Sequence, residues 1–85
     1  MNQAILFSEG ERWNEHYAGV QVVALAGGFK IDCCVTQHFL AQHFGEATDP
    51  ERCCSLFRLH QWDLEEELTA RIENEEFNAD GWIVI

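Results

Sequence analysis

The stretch "VQVVALAGGFKIDCCVT", residues 20–36, places two runs rich in β-branched residues on either side of a glycine pair. Gly27 and Gly28 can adopt positive φ without steric cost, so the pattern predicts a β-hairpin with arms at 20–26 and 29–36. Side chains in a strand alternate between the two faces of a sheet. In the second arm this alternation assigns four side chains to the core-facing side: Phe29, Ile31, Cys33 and Val35. The side chains between them, Lys30, Asp32 and Cys34, are expected on the other face.

Two shorter apolar runs, one near each end of the chain, predict further strands. "QAILF" (3–7) precedes the polar break "SEGER" and indicates a brief first strand. "DGWIVI" (80–85) indicates a turn followed by a final strand whose two faces are both apolar. A strand of that kind is expected to be covered on both sides.

Two helices are predicted between the hairpin and the final strand. Thr36 can cap a short helix through "QHFLAQHF" (37–44), with Gly45 at its end and Phe39, Leu40, His43 and Phe44 facing inward. Asp49 followed by Pro50 is typical of a second helix N-terminus. That helix is predicted to run to about residue 76. Five of its side chains fall on one apolar stripe, with His60 on the same side: Cys53, Phe57, Leu64, Leu68 and Ile72.

The position of Trp62 raises the question of whether the second helix is continuous. Trp62 falls on the side opposite the stripe, and the segment from Asp63 to Glu66 has the pattern of a capping box. The helix either continues through this point or breaks near Trp62 and restarts at Asp63.

Strand, hairpin, two helices and strand predict an α+β fold in a single domain, 1–85. We expect a two-layer sandwich, with a mainly antiparallel sheet and two or three helices on one face. Residues 20–26 and 82–85 carry apolar side chains on both sheet faces, so the second face, away from the helices, needs the N-terminal segment or another subunit over it. A homodimer through this second sheet face is the expectation.

The charge balance limits the classes of partner. Fifteen acids against five bases give a net charge of −10, which repels nucleic acids and anionic membranes. The first residues show no signal-peptide pattern and no apolar run is long enough to span a bilayer, so the chain is expected in the cytoplasm. The four cysteines are expected to be reduced there.

The cysteines and histidines leave open a second interpretation, a metal-binding or thiol-sensing protein. It would use Cys33, Cys53 and a nearby histidine, His38 or His60. The spacing argues against it, because adjacent cysteines diverge on a strand or a helix and the Cys-x2-4-Cys pairs typical of zinc sites are missing. No Cys-x-x-Cys motif lowers a thiol pKa either. Buried packing is the favoured role, since free cysteine is among the most buried residue types.

A small enzyme is a weaker alternative. His60 and Asp63 are three positions apart on a helix and could pair as a base and its orienting carboxylate. Such a pair is more often structural than catalytic. No glycine-rich phosphate loop leads into a helix, so we predict no cofactor.

The segment 58–67 is the candidate interaction surface for an unknown protein partner. Arg58 and Trp62 are four apart on the side opposite the core stripe, where the guanidinium could stack on the indole. The acidic side chains Asp63, Glu66 and Glu67 follow and could attract a basic partner. Two alternatives remain: the acids simply form a solvated helix face, or a kink turns Trp62 into the core or under the N-terminal segment.

Several of these motifs resemble one family. The opening "MNQAILF", the hairpin ending in "CCVT", the block "FRLHQWDLEEE" and the closing "DGWIVI" are similar to the YrdB-like family of small uncharacterised bacterial proteins, a domain of unknown function. The resemblance spans nearly the whole chain. It implies a cytosolic α+β protein and no established activity. It also implies a cysteine at position 33, a small residue at 34 and a bulky apolar pair at 53–54, which supports packing roles for these cysteines.

These observations together favour a non-enzymatic, acidic, cytosolic protein-interaction or regulatory domain.

Overall fold

The computed structural model describes residues 5–85 and confirms an α+β fold over that range. The elements in chain order are β1 (Ile5–Phe7), β2 (Arg12–Asn14), β3 (Gly19–Ala26), β4 (Phe29–Thr36), α1 (Gln37–Phe44), α2 (Pro50–Leu59), α3 (Gln61–Glu73) and β5 (Ile83–Val84). The strands form one sheet whose helices pack on a single face, as predicted. Positions 3 and 4 of the predicted first strand lie outside the described residues.

The β3–β4 hairpin is the centre of the sheet. The two strands pair antiparallel along their whole length, from Gly19 opposite Thr36 to Ala26 opposite Phe29. Both β1 and β2 pair antiparallel with the other edge of β3, β1 at its end and β2 at its start. β5 pairs in parallel with β4. The sequence did not predict β2, because its three residues lie in a polar segment with no alternation.

The helix ends follow the predicted capping residues. The Thr36 side chain accepts a hydrogen bond of 3.1 Å from the backbone N–H of Phe39 and so caps α1. Gly45 ends α1 with φ of 72°, a conformation that favours glycine. The Asp49 carboxylate accepts a 2.7 Å bond from the backbone N–H of Arg52 at the start of α2. Each cap satisfies a backbone donor that the helix itself leaves free.

The second predicted helix is broken at His60. α2 ends at Leu59 and α3 begins at Gln61, so the interpretation with a break near Trp62 is confirmed. The restart at Asp63 was wrong, since Asp63 lies in the first turn of α3 and no side chain caps this N-terminus. The predicted end near residue 76 was also wrong, because α3 ends at Glu73.

The core lies between the helices and one face of the hairpin. All five residues of the predicted stripe are buried: Cys53, Phe57, Leu64, Leu68 and Ile72. They pack against alternate residues of the hairpin, among them Val20, Val22, Cys33 and Val35. The break at His60 lets the helical chain follow the sheet while both α2 and α3 keep their apolar side inward.

Two predicted core positions are exposed. Phe29 was assigned to the core by alternation, but 75% of its surface is exposed because it sits beside the Gly27–Gly28 turn at the tip of the hairpin. His43 was expected to face inward, but it is exposed and stacks on Phe39 with ring centroids 4.0 Å apart. Phe29 belongs to β4 and lies on its core-facing side, but the packed core stops short of the hairpin tip.

Among residues 5–85, the second sheet face is covered at one end only. Tyr17 and Trp82 lie 5.0 Å apart between ring centroids, and the Tyr17 hydroxyl donates a 2.9 Å bond to Asp80. Cys34 points to this face and is nevertheless buried, with its Sγ over the missing side chain of Gly19. At the other end Leu6 and Leu25 are exposed. β1 lies at the sheet edge, so this strand leaves the second face open.

Candidate functional site

A groove between β1 and the start of α3 is the most distinctive surface of the described residues. Trp62 is the second residue of α3 and 88% of its surface is exposed. The groove has a volume of about 340 Å³, and we call it the Trp62 groove. Its lining residues are Ile5, Phe7, Trp62, Asp63, Glu65, Glu66 and Thr69. The prediction that Trp62 lies on the side opposite the core is confirmed, and the alternative that it turns into the core was wrong. The alternative that it lies under the N-terminal segment concerns positions 1–4, which are outside the described residues.

The Trp62 groove is apolar on its strand side and acidic on its helix side. Ile5 and Phe7 are half-buried and pack against the core from β1. Asp63, Glu65 and Glu66 supply three carboxylates from α3, and the groove lining contains no lysine or arginine. Only Glu65 among them accepts a hydrogen bond from a described side chain, the 2.8 Å bond from the Gln61 amide. The groove therefore offers an aromatic contact beside three carboxylates, with Arg58 in the adjoining depression that Trp62 and Asp63 also line.

Arg58 does not stack on Trp62, and this predicted contact was wrong. Because the helix breaks at His60, positions 58 and 62 no longer share a face of one helix. The Arg58 guanidinium instead pairs with the carboxylate of Glu11, in the segment between β1 and β2. Arg58 lines a smaller depression beside the groove, together with Leu59, which is 73% exposed.

Glu67 also lies apart from the groove. Its carboxylate pairs with Arg71 one turn later in α3, with a distance of 3.0 Å between Glu67 Oε2 and Arg71 Nη2, an i,i+4 ion pair. Of the five predicted surface residues, the structure thus places Trp62, Asp63 and Glu66 in the groove and leaves Arg58 and Glu67 outside its lining. Ile5, Phe7 and Glu65 were missed. The sequence shows that Ile5 and Phe7 fall on one face of a strand, but their position beside Trp62 depends on the tertiary fold.

The cysteines are packing residues. Cys33, Cys34 and Cys53 are buried, and Cys54 is half-buried against the core. Burial raises the pKa of the Cys33 and Cys34 thiols to about 12. Burial also raises the pKa of the Cys53 and Cys54 thiols. Within residues 5–85 no three His, Cys, Asp or Glu side chains are grouped as metal ligands. Neutral, enclosed thiols are poor nucleophiles, so this geometry does not favour thiol sensing.

His60 has a packing role at the helix break. Its ring stacks on Phe44 of α1 with centroids 3.8 Å apart and an interplanar angle of 6°. Among the described side chains, no hydrogen bond joins His60 to Asp63. The pair suggested for a small enzyme is therefore not formed in this structure.

The fold and this surface define a class of protein: a small acidic α+β domain with helices on one face of a mainly antiparallel sheet and an exposed tryptophan on its third helix. The comparisons with known proteins identify the family. The family described as "Protein of unknown function (DUF1488)" matches residues 5–85, and the chain belongs to it. The YrdB-like resemblance is confirmed with it.

Relatives cover nearly the whole chain. It is 39% identical over 83 residues to the "Uncharacterized protein YrdB" of Escherichia coli (strain K12) and equally to that of Shigella flexneri, with 98% of this chain and 96% of each relative covered. A crystal structure of a DUF1488 protein of unknown function from Shewanella loihica PV-4 superposes with a TM-score of 0.91 at 32% identity. That match covers 100% of this chain and 94% of the solved one.

Proposed function

We propose that this chain is a non-enzymatic protein-interaction domain that binds a basic protein partner through the Trp62 groove. The observation that carries the proposal is the 88% exposure of Trp62 beside Ile5 and Phe7. Tryptophan is the residue most enriched in the binding hot spots of protein interfaces, and an exposed apolar patch with a polar rim is typical of such sites. Within residues 5–85 the Trp62 side chain lacks a covering contact, and the partner supplies it.

Charge supports a basic partner. The net charge of −10 and the three groove carboxylates produce a negative potential that attracts lysine and arginine side chains and repels nucleic acids. We expect the complex to form in the cytoplasm and to weaken as the salt concentration rises. No helix within residues 5–85 has the length and apolar character of a membrane span.

Affinity purification of the tagged chain from its own cells tests this function. Trp62→Ala should reduce the amount of partner recovered about tenfold or more. The reason is that truncation of an interface hot spot costs about 2 kcal/mol or more of binding free energy. Phe77→Ala is the control, since Phe77 is an exposed aromatic that follows the C-terminal end of α3, the end opposite Trp62.

The thermal midpoints of both variants should stay close to that of the parent chain, because both side chains are exposed. Recovery that is the same with both variants, or unfolding of Trp62→Ala, would contradict the proposed function.

The second sheet face supports a separate proposal, a homodimer. Leu6 and Leu25 are exposed on this face. Arg12 and Lys30 lie on the same face together with the acids Glu9 and Asp32, so the charges there balance. Two copies of a chain with net charge −10 repel each other less at a surface whose acids are balanced by bases than at one without bases.

Light scattering at micromolar concentration measures the oligomeric state directly. We expect the mass of two chains, and we expect Leu25→Glu to give the mass of one, because a buried unpaired carboxylate opposes association. If the parent chain already had the mass of one copy, the homodimer proposal would be wrong, and the exposed Leu6 and Leu25 would have no role in self-association.

A further inference from the structure

The outer edge of β1 presents unpaired backbone groups next to the Trp62 groove. The N–H of Ser8 donates to the carbonyl of Val23 at 3.0 Å, which makes these residues a hydrogen-bonded pair. Bonded and non-bonded pairs alternate along an antiparallel ladder, so Leu6 opposite Leu25 is the next bonded pair. The backbone N–H and C=O groups of Ile5 and Phe7 consequently point away from β3.

This edge and the groove form one continuous surface. Within residues 5–85, β1 is the terminal strand of its sheet and no strand pairs with its outer edge. The side chains of Ile5 and Phe7 line the groove, while Trp62 stands on its opposite wall. A chain that paired with β1 at the usual spacing of about 4.8 Å would therefore lie beside Trp62.

We propose, on the basis of the interaction function above, that the partner binds as an extended segment that adds to the sheet as a strand beside β1. Strand addition takes its affinity from main-chain hydrogen bonds and its specificity from alternate side chains. The side chains that face the helix layer meet Phe7 and Trp62, so apolar residues are required there. Lysine or arginine residues flank them, because the carboxylates of Asp63, Glu65 and Glu66 have no basic neighbour in the groove lining.

Charge excludes a second copy of the chain as the occupant. In a second copy β1 is followed by Glu9 and Glu11, and it would bring these carboxylates toward an already acidic groove. Like charges brought together at an interface suppress association. A basic segment of another protein is instead attracted by the carboxylates of the groove.

A synthetic peptide of about nine residues serves as the probe, with valine and threonine alternating in its centre and two lysines at each end. We expect it to bind the intact chain and to slow hydrogen exchange at the Ile5 and Phe7 amides about tenfold or more at saturation. The Leu6 amide already bonds β3 and should change much less. A peptide with glutamate in place of lysine should not bind.

The backbone contribution is tested by a peptide of the same sequence that is N-methylated through its central residues. It keeps the charges and side chains but lacks the donors for β1, so it should lose most of the binding. On the protein, Ile5→Pro removes the outward N–H, and proline is tolerated at a sheet edge. It should weaken binding about fivefold more than Ile5→Ala, which keeps that donor.

The outcomes separate this inference from the proposed function. Equal binding of the methylated peptide, or unchanged exchange at Ile5 and Phe7, would overturn strand addition even if Trp62→Ala still abolished partner recovery. Such a result would leave an interaction surface of another geometry. If Trp62→Ala did not reduce partner recovery, the proposed function would be wrong, and this inference with it.

Discussion

Gly19→Ala should lower the free energy of unfolding by about 3 kcal/mol or unfold the protein. Adding a side chain to a well-packed site costs about 1 to 3 kcal/mol and occasionally more, and the site at position 19 is enclosed by backbone. A Cβ at position 19 would lie 2.5 Å from the Val35 carbonyl oxygen, 2.6 Å from Cys34 Sγ and 2.7 Å from Thr36 Cα. Two of these three atoms belong to the β4 backbone, which cannot move away without breaking the central hairpin. Chemical denaturation monitored by circular dichroism measures the loss.

The neighbouring residue provides a matched control with the opposite sign. Ala18 has φ of 54°, in the left-handed region that costs a non-glycine residue about 1 to 2 kcal/mol. Ala18→Gly relieves that strain and should leave the free energy of unfolding unchanged or raise it by up to about 1 kcal/mol. If Gly19→Ala left the free energy of unfolding unchanged, the close approach of β4 would not exclude a side chain at position 19.

Local sequence chemistry predicted most of the fold. The glycine pair positioned the hairpin, and the caps at Thr36 and Asp49 positioned two helix starts. These features succeeded because each depends on a few neighbouring residues whose backbone geometry is strongly restricted. The third start failed at Asp63 for the complementary reason. The break at His60 is favoured by the stacking of its ring on Phe44, a residue sixteen positions earlier, and no local pattern contains that contact.

The candidate site was predicted only in part for the same reason. Helical periodicity placed Trp62 away from the core, which is a property of one segment. The strand side of the groove comes from Ile5 and Phe7, more than fifty positions away, and only the tertiary structure shows that they meet Trp62. The Arg58–Trp62 stack was wrong because it assumed one continuous helix. A salt bridge to Glu11, 47 positions earlier, holds the guanidinium elsewhere.

The buried thiols should make the protein lose stability in alkali. Burial raises the pKa of the Cys33 thiol from its ordinary value of 9.0 to about 12, with the nearby charge of Asp32 acting in the same direction. Below pH 9 the thiol is protonated in both the folded and the unfolded chain, so its contribution to stability is fully present. Between pH 9 and pH 12 the unfolded chain ionises while the folded chain keeps its proton, so stability falls as the pH rises.

For one thiol the loss is about 1.4 kcal/mol per pH unit above pH 9, or about 4 kcal/mol across the whole interval. Cys33→Ala lacks this ionisation, so its free energy of unfolding should fall less steeply than that of the parent chain when both are measured between pH 8 and pH 10.5, roughly. Comparison of slopes cancels the other titrating groups, including Cys34, and also the fixed cost of the small cavity. Parallel slopes would mean that Cys33 ionises in the folded chain as readily as in the unfolded chain. The folded protein would then contain a reactive thiolate, in contradiction to its buried geometry, and the thiol-sensing hypothesis would be supported.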